Sequence, residues 1–516
     1  MNLTSIKKIW DEAPLKLILF SAVFFRLLAT LFSKGFGMFD DHYLIIEAAQ
    51  SWADGVGFDK WVPMFGATEP SGHGLLYVGL HYFFFKFCNQ IGFTDPDAKM
   101  YLIRFVHGMF SLLIVTAGYQ ITLLYSNIKN ARLVGILLAL YWFMPLLSVR
   151  NLIEVVCVPF VLYAAYALLK AEKQAPLPKW YLIAGLLAGL AIAIRFQTAF
   201  MLAGFGLYLL IKKDWKGTLY FSLGAVVGIG LTHGLIDYII WGYPFAELIA
   251  YSKYNMNNAY TYITLPWYNY FLTLGGILLP PVSLFLLVGY FKTFKKYLLL
   301  FLPSFLFFAF HSYFPNKQER FIFPMIPFVI IAGTMGWQQF VQTSNFWLKR
   351  PLWLSNGWKF FWAINTLALI FTSLSYSKRS RVEAMLYLQH HAQVQAFVVE
   401  ESNQDDWNIQ PQFYLKKWVP MYGITKKQPT DTLAKLMHNG AIPNNLQPNY
   451  VLFLQPENLD ARVADFSKKV GPLQYEATIE PGLMDKLLHW LNKNNDNNTT
   501  YIYKIILPLQ TKQTTL

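Results

Sequence analysis

Residues 15–33, LKLILFSAVFFRLLATLFS, form a membrane-length apolar run, and residues 37–55, GMFDDHYLIIEAAQSWADG, follow almost at once. About 20 mainly apolar residues are what an α-helix needs to cross a bilayer. The run is too long for a cleavable signal peptide and lacks its small-residue cleavage site, so it reads as a permanent anchor. The stretch behind it carries Asp40, Asp41 and Glu47. Acids are disfavoured beside hydrocarbon, so three of them just past a first span ask for a function.

The rest of the chain has the same character. Of 516 residues, 55% are hydrophobic and only 14% charged, where soluble domains carry about 25% charged residues. Mean hydropathy is +0.33. Further apolar runs occur at 101–125, 131–148, 151–170, 179–195, 197–212, 217–241, 267–291, 297–314, 321–341 and 358–375. The expected fold is therefore an all-α polytopic membrane protein of about eleven transmembrane helices. Cys88 and Cys157 are too few for a disulfide framework, and Cys157 reads as a small buried hydrophobe.

The net charge of +14 could mark a nucleic-acid binder, but its distribution argues otherwise. With the N-terminus cytoplasmic, the inside segments hold Lys7, Lys8 and Lys16; Lys129 and Arg132; Lys170, Lys173 and Lys179; Lys212, Lys213 and Lys216; Lys292, Lys295 and Lys296; Lys349, Arg350 and Lys359. The short outside loops hold only Arg150, Arg195, Lys253, Lys317 and Arg320. That bias sets orientation by the positive-inside rule. It leaves three outer segments: the loop at about 34–100, the Tyr- and Asn-rich loop 242–266, and the tail from 377.

Within the first loop, residues 41–54 have helical periodicity ending at Gly55. The aromatic run 74–93 reads as a helix lying in the interface of the outer leaflet, since counting it as a span would turn the Lys-rich loops outward. The tail contains strand-like AFVVEE, NYVLFLQP and TYIYKIILP and a helical GLMDKLLHWLNK. It is expected to form an extracytoplasmic α/β domain over 377–516, beyond a membrane module over 1–376. The NKNNDNNTT tract carries a glycosylation acceptor pattern at Asn497 and Asn498.

Two constellations are candidates for chemistry. A helix starting near Asp40 would put residues 40, 44 and 47 on one face, pointing Asp40 and Glu47 the same way. Asp40 is then a candidate general base, or else only an N-cap accepting a backbone N–H. The second is the loop HSYFPNKQERFIFPMIP, with His311, Lys317, Glu319 and Arg320. Lys and Arg three apart can clamp a phosphate, or can simply anchor a span end. Arg26, inside the first span, should face the bundle and pair with an acid or a lipid phosphate, or snorkel to the surface. Glu154 and Asp237 are candidates for buried pairing, and His233 reads as a hydrogen-bonded bundle residue. There is no metal-ligand cluster in the sequence.

At these stretches the sequence resembles a known family. FDDHYLIIEAAQSWADGVGFDKW is similar to the PDE-x-F-Q-x-x-E … G-x-G-x-x-x-W signature of the mannosyltransferases that build GPI anchors and N-glycan precursors, glycosyltransferase family 22. NKQERFIFPMIPF resembles that family's HKEERFLFPIYPL. AIRFQTA, DYIIWGYPFAELIAYSKYN and LPWYNYFLTLGGILLP resemble three further motifs in the same order, so the likeness runs over about residues 20–385. RVEAMLYL is faintly like the GPI-anchor branch. Departures include Phe39 for the leading proline, Asp41 for Glu, Leu44 for Gln, Asn316 for His, Gln318 for Glu and Leu265 for His.

The resemblance implies a GT-C fold, a catalytic first outside loop and metal-independent inversion with no cofactor. It implies a polyprenyl-phosphate-linked sugar donor, mannose first, and a glycolipid or lipid-linked glycan acceptor. In that scheme Asp40 and Asp41 are catalytic, and Glu47, Arg195, Lys317, Glu319 and Arg320 bind substrate. A bacterial inner membrane and a eukaryotic ER both fit the topology, and the loose motifs and long tail favour the bacterial one. Competing readings are a transferase of another lipid-linked sugar or with a protein acceptor, a lipid or glycan flippase, and a non-catalytic receptor. A flippase should show internal repeats and midplane charges, and neither is found.

Overall fold

Each apolar run carries helix, because a peptide group in hydrocarbon must find its partner within its own segment. The computed structural model describes residues 3–391, 393–493, 495 and 498–506; Asn497 of the acceptor pattern lies outside the described residues. Among the described residues five helices are long and apolar enough to cross a membrane: Pro14–Phe32, Pro96–Tyr125, Ile153–Lys173, Trp215–Trp241 and Glu319–Thr343. Pro178–Ile194, Phe196–Ile211, Val282–Lys292 and Leu298–Tyr313 are apolar but shorter. The aromatic run after Gly74 is the helix Leu75–Gln90.

Two of the expected spans are interrupted. The run 131–148 divides into Ile128–Leu140 and Met144–Ser148, and 267–291 into Asn269–Ile277 and Val282–Lys292. Side chains from elsewhere complete the exposed peptide groups. Asn365, fully buried in the helix Pro351–Ser373, accepts from the Trp142 N–H at 3.0 Å and donates to the Leu140 carbonyl at 2.8 Å. Thr372 donates to the Trp142 carbonyl at 2.6 Å. Trp142 Nε1 and the Tyr141 hydroxyl in turn reach the Ile277 and Leu278 carbonyls at the second break, at 2.9 and 2.6 Å.

Elsewhere the helices close by backbone approach. Gly185 and Gly189 of Pro178–Ile194 face Gly224 and Gly228 of Trp215–Ile229. A Cβ at Gly185 would collide with the Phe221 carbonyl, and one at Gly189 would lie 2.8 Å from the Ala225 carbonyl oxygen. Two facing small-xxx-small patterns give such contact where hydrophobic force between helices is weak.

The chain packs as two compact units: Met1–Phe32, Asp59–Phe84 and Tyr101–Leu374 in one; Ser33–Phe58, Phe85–Met100 and Ser375–Leu516 in the other. The second unit holds a five-stranded sheet of β1 (Phe397–Glu400), β2 (Met421–Ile424), β3 (Tyr450–Leu454), β4 (Leu473–Ile479) and β5 (Thr500–Ile505), in the order β2-β1-β3-β5-β4. β1 runs parallel to β2 and β3, while β5 is antiparallel to β3 and β4. The helices Thr430–His438 and Leu459–Lys469 pack Leu433, Met437 and Phe466 onto Val398, Val451 and Phe453. Arg462 crosses from its helix to β1, donating to Glu400 Oε2 at 2.7 Å and to the Glu400 and Leu454 carbonyls. Of these strands, β2 and β4 are the two that the sequence reading does not mark.

The repaired break yields a test. Asn365→Leu keeps the volume but strands a buried N–H and a buried carbonyl, each worth about 1–3 kcal/mol when unsatisfied. The purified full chain should melt several degrees lower with this substitution, whereas Leu367→Ala on the exposed face of the same helix should not reproduce the loss.

Candidate active site

The acidic turn is built differently from a simple helix start. Asp41 is 2% exposed, and its carboxylate accepts backbone N–H groups from Gly37 at 2.9 Å and Met38 at 3.0 Å. That capture curls residues 37–42 into a turn, so the helix cannot begin at Asp40. It begins instead with a π turn over Tyr43–Glu47, in which the His42 carbonyl accepts from both Ile46 and Glu47, and continues as Ala48–Ala53. Asp40 and Glu47 therefore do not share one helical face, which corrects the expected alignment. Asp40 is half-exposed, while Glu47 is turned inward.

Glu47 Oε1 accepts from the Phe413 N–H at 2.9 Å and lies 3.1 Å from His42 Nε2. The His42 ring is stacked between Phe36 and Tyr414, with centroids 4.7 and 5.5 Å away. Tyr43 donates to the Ile409 carbonyl and accepts from Arg381 at 3.0 Å. The turn is thus held by residues 409–414 and by Arg381, contacts separated by more than three hundred positions in sequence. Burial raises the Tyr43 hydroxyl well above its ordinary pKa, so it stays a neutral donor.

The basic constellation belongs to the helical unit. Glu154 is 2% exposed and pairs with Arg195; Arg320 Nε lies 3.9 Å from the same carboxylate oxygen. Arg195 also donates to the Phe321 carbonyl at 3.2 Å, and both guanidiniums lie over the Phe321 ring. Two buried cations converge on this carboxylate. Glu154 Oε2, Arg195 Nε and His311 Nε2 are buried with no hydrogen-bond partner.

The structure divides the expected Lys317/Arg320 clamp. Gln318 is extended and the short helix starts only at Glu319, so residues 317 and 320 do not ride one helical face. Lys317 Nζ donates to the carbonyls of His311 at 2.9 Å, Ser312 at 3.0 Å and Phe314, closing the C-terminus of Leu298–Tyr313. Such a cation also complements the helix dipole. Burial lowers the Lys317 pKa from its ordinary value. Glu319 is exposed and outside the cluster. The loop is fixed by Tyr270, whose hydroxyl donates to the Gln318 carbonyl at 3.1 Å, and by the Lys317 N–H bond to Ile263 at 3.0 Å.

Other charged candidates resolve plainly. Arg26 is fully buried and turned inward, but its partners are the Ser111 hydroxyl at 2.7 Å and the carbonyls of Ala139 and Ala22, not an acid. Asp237 accepts from the Glu247 N–H at 3.0 Å, and His233 bonds the Ile192 carbonyl. Glu247, which the sequence reading passes over, is fully buried and binds the Gly72 and His73 N–H groups and Trp241 Nε1. An apolar cavity of about 310 Å³ is lined by Leu80, Phe84, Leu102, Phe110 and Phe160, with Tyr77, His81 and His107 as its few polar groups. Its wall includes Val156 and Ile194, close in sequence to Glu154 and Arg195.

Residues 17–409 match the profile of the Alg9-like mannosyltransferase family. The chain belongs to that family. Among curated proteins, none matches it by sequence. Two solved structures are similar across nearly the whole length, both of ArnT from Cupriavidus metallidurans. The form bound to undecaprenyl phosphate aligns at 12% identity and TM-score 0.53 over 96% of this chain and 99% of its own. The apo form aligns at 13% and 0.56 over 95% and 97%. At such identity the likeness speaks to fold: this Alg9-like mannosyltransferase has the GT-C architecture of a multi-pass membrane glycosyltransferase.

The shared carboxylate has a measurable consequence. Removing one partner of a buried ion pair costs about 3–5 kcal/mol because it leaves charge uncompensated. Glu154→Gln, which leaves two guanidiniums facing each other, should sharply lower the melting temperature of the full chain. Glu319→Gln should leave it unchanged.

Proposed function

We propose that this mannosyltransferase moves mannose from a polyprenyl-phosphate donor to a hydroxyl of a glycolipid or lipid-linked glycan. The reaction is a single inverting displacement on the outer face of a bacterial inner membrane. The N-terminus is cytoplasmic and the α/β domain extracytoplasmic. No cofactor or metal is invoked.

The observation that carries the reading is the Arg195–Glu154–Arg320 cluster, two buried guanidiniums at one carboxylate with Arg195 Nε unsatisfied. A buried guanidinium N–H without a partner is stabilised by an acceptor, and guanidinium forks suit phosphate oxygens. The apolar cavity walled in part by Val156 and Ile194 suits a prenyl chain, with its sugar-phosphate at headgroup level. Undecaprenyl phosphate is the ligand of the solved ArnT complex, which makes a lipid phosphate the natural candidate here.

In the displacement the acceptor oxygen bonds to the anomeric carbon as the carbon–oxygen bond to phosphate breaks. The electron pair leaves on the phosphate oxygen, where Arg195 and Arg320 stabilise it, the electrostatic contribution that is commonly the largest. The hydroxyl proton passes to Asp40, the half-exposed acid of the turn. Asp41, bonded to Gly37 and Met38, is a positioning residue that fixes where Asp40 stands, and Glu47 anchors the same turn from behind. Lys317 holds the loop that presents Arg320.

The full chain in lipid, supplied with radiolabelled polyprenyl-phosphate-mannose and a membrane extract as acceptor, tests this. Asp40→Ala should lose at least about 10²-fold in transfer, the usual scale of general-base help, in a chain that still folds. Asp41→Asn should lose both activity and stability. An Asp40→Ala enzyme as fast as wild type would remove Asp40 from the chemistry. Transfer only from glucosyl or arabinosyl donors would overturn mannose.

A further inference from the structure

Behind the acidic turn, the short helix Ala48–Ala53 carries Gln50 and ends at Asp54, stopped by Gly55 at φ +72°. These residues open onto a cavity of about 350 Å³, lined also by Asn89, Lys99 and Trp418. All belong to the unit that contains the sheet. The polar groups form one network. Asp54 Oδ1 accepts from Gln50 Nε2 at 2.8 Å and Asn89 Nδ2 at 2.9 Å, and Asp54 Oδ2 accepts from Trp418 Nε1 at 2.8 Å. Lys99 Nζ, on a side chain 3% exposed, donates to Gln50 Oε1 at 2.9 Å and Asn89 Oδ1 at 2.8 Å. The half-exposed Trp418 ring packs against Phe58 at 5.0 Å.

The network is rigid but not exhausted. An ammonium has three donors, an amide two, and a carboxylate about four acceptor sites. One donor therefore remains on each of Lys99, Gln50 and Asn89, and one acceptor site on Asp54. Donors and an acceptor side by side, fixed by mutual bonds beside an aromatic ring, match a ligand whose hydroxyls both give and take and whose C–H face is apolar. A prenyl chain would leave these groups unpaired. We propose that this cavity is a binding subsite for a neutral sugar residue, with the ring against Trp418 and hydroxyls on Asp54, Lys99, Gln50 and Asn89. It rests on the transferase reading by serving as the acceptor glycan's docking point, on the helix that continues the acidic turn.

The test is direct binding to the purified full chain in lipid nanodiscs, by calorimetry, with four trisaccharides as probes: α-mannotriose, maltotriose, chitotriose and trigalacturonate. At least one neutral trisaccharide should bind saturably. Trp418→Ala and the shape-conserving Asp54→Asn should each weaken it at least about tenfold, the scale of losing one central contact, in a chain that still melts cooperatively above the assay temperature. Asp40→Ala should bind as wild type does. The proposal falls if no neutral trisaccharide binds, if only trigalacturonate binds, or if both cavity variants bind like wild type. A wild type that binds but transfers nothing from any lipid-linked donor sinks the transferase reading and leaves the subsite. One that transfers while binding ignores both variants sinks the subsite alone.

Discussion

A peptide group surrounded by hydrocarbon has no water to fall back on, and this constraint governs where the helical unit can depart from regular helix. It does so around Tyr141–Phe143 and around Leu278–Pro281, and in both places side-chain hydroxyls, an indole and one amide take the ladder's role. Asn365 is the hub because one planar amide can accept from one strand of the break and donate to the other. The same requirement acts on charge. Glu154 has two guanidiniums, and Lys317 is spread over helix-end carbonyls. Irregular backbone and ionised groups persist at such depth only where the surrounding protein supplies their partners.

The acidic turn meets a related problem in another way. Its buried carboxylates accept backbone N–H groups, which keeps Asp41 and Glu47 in one place. Fixed donors of that kind let a carboxylate be held with little freedom, a condition for placing a neighbouring base accurately. The tail is therefore more than an appendage: residues 409–414 supply an N–H, a carbonyl and a ring to the turn. The family match ends at residue 409, at the start of that segment.

Much of this was legible in the sequence. Long apolar runs report helices because the period and length are local properties, and the acids and the KQER loop stood out because charge is rare here. The facing glycine pairs were also readable, since 185/189 and 224/228 are spaced four apart, although the sequence reading passed over them. Less was readable where distant residues decide. Nothing near Asp40 announces that Asp41 will capture Gly37 and Met38 and replace an α turn by a π turn. β2 is four residues long and β4 lies half-exposed at an edge, so neither shows a clear hydrophobic pattern. Glu154 was recognisable as a pairing acid, but its partners lie about 40 and 170 positions away and only packing selects them. The Asp54 cavity draws on three separated segments and leaves no motif.

Arg26 has a consequence for how the protein is made. A central arginine weighs against membrane insertion by about 2.5–3.5 kcal/mol on the translocon scale. Its partners, Ser111 and the Ala139 carbonyl, are synthesised some 85 and 113 residues later. At about 5–20 residues per second, the first helix must wait several seconds at the ribosome for the groups that satisfy it. Throughout that interval the nascent chain depends on the insertion machinery, or on water drawn to the guanidinium. Biogenesis of this enzyme is therefore most exposed to failure before its second hydrophobic segment has arrived.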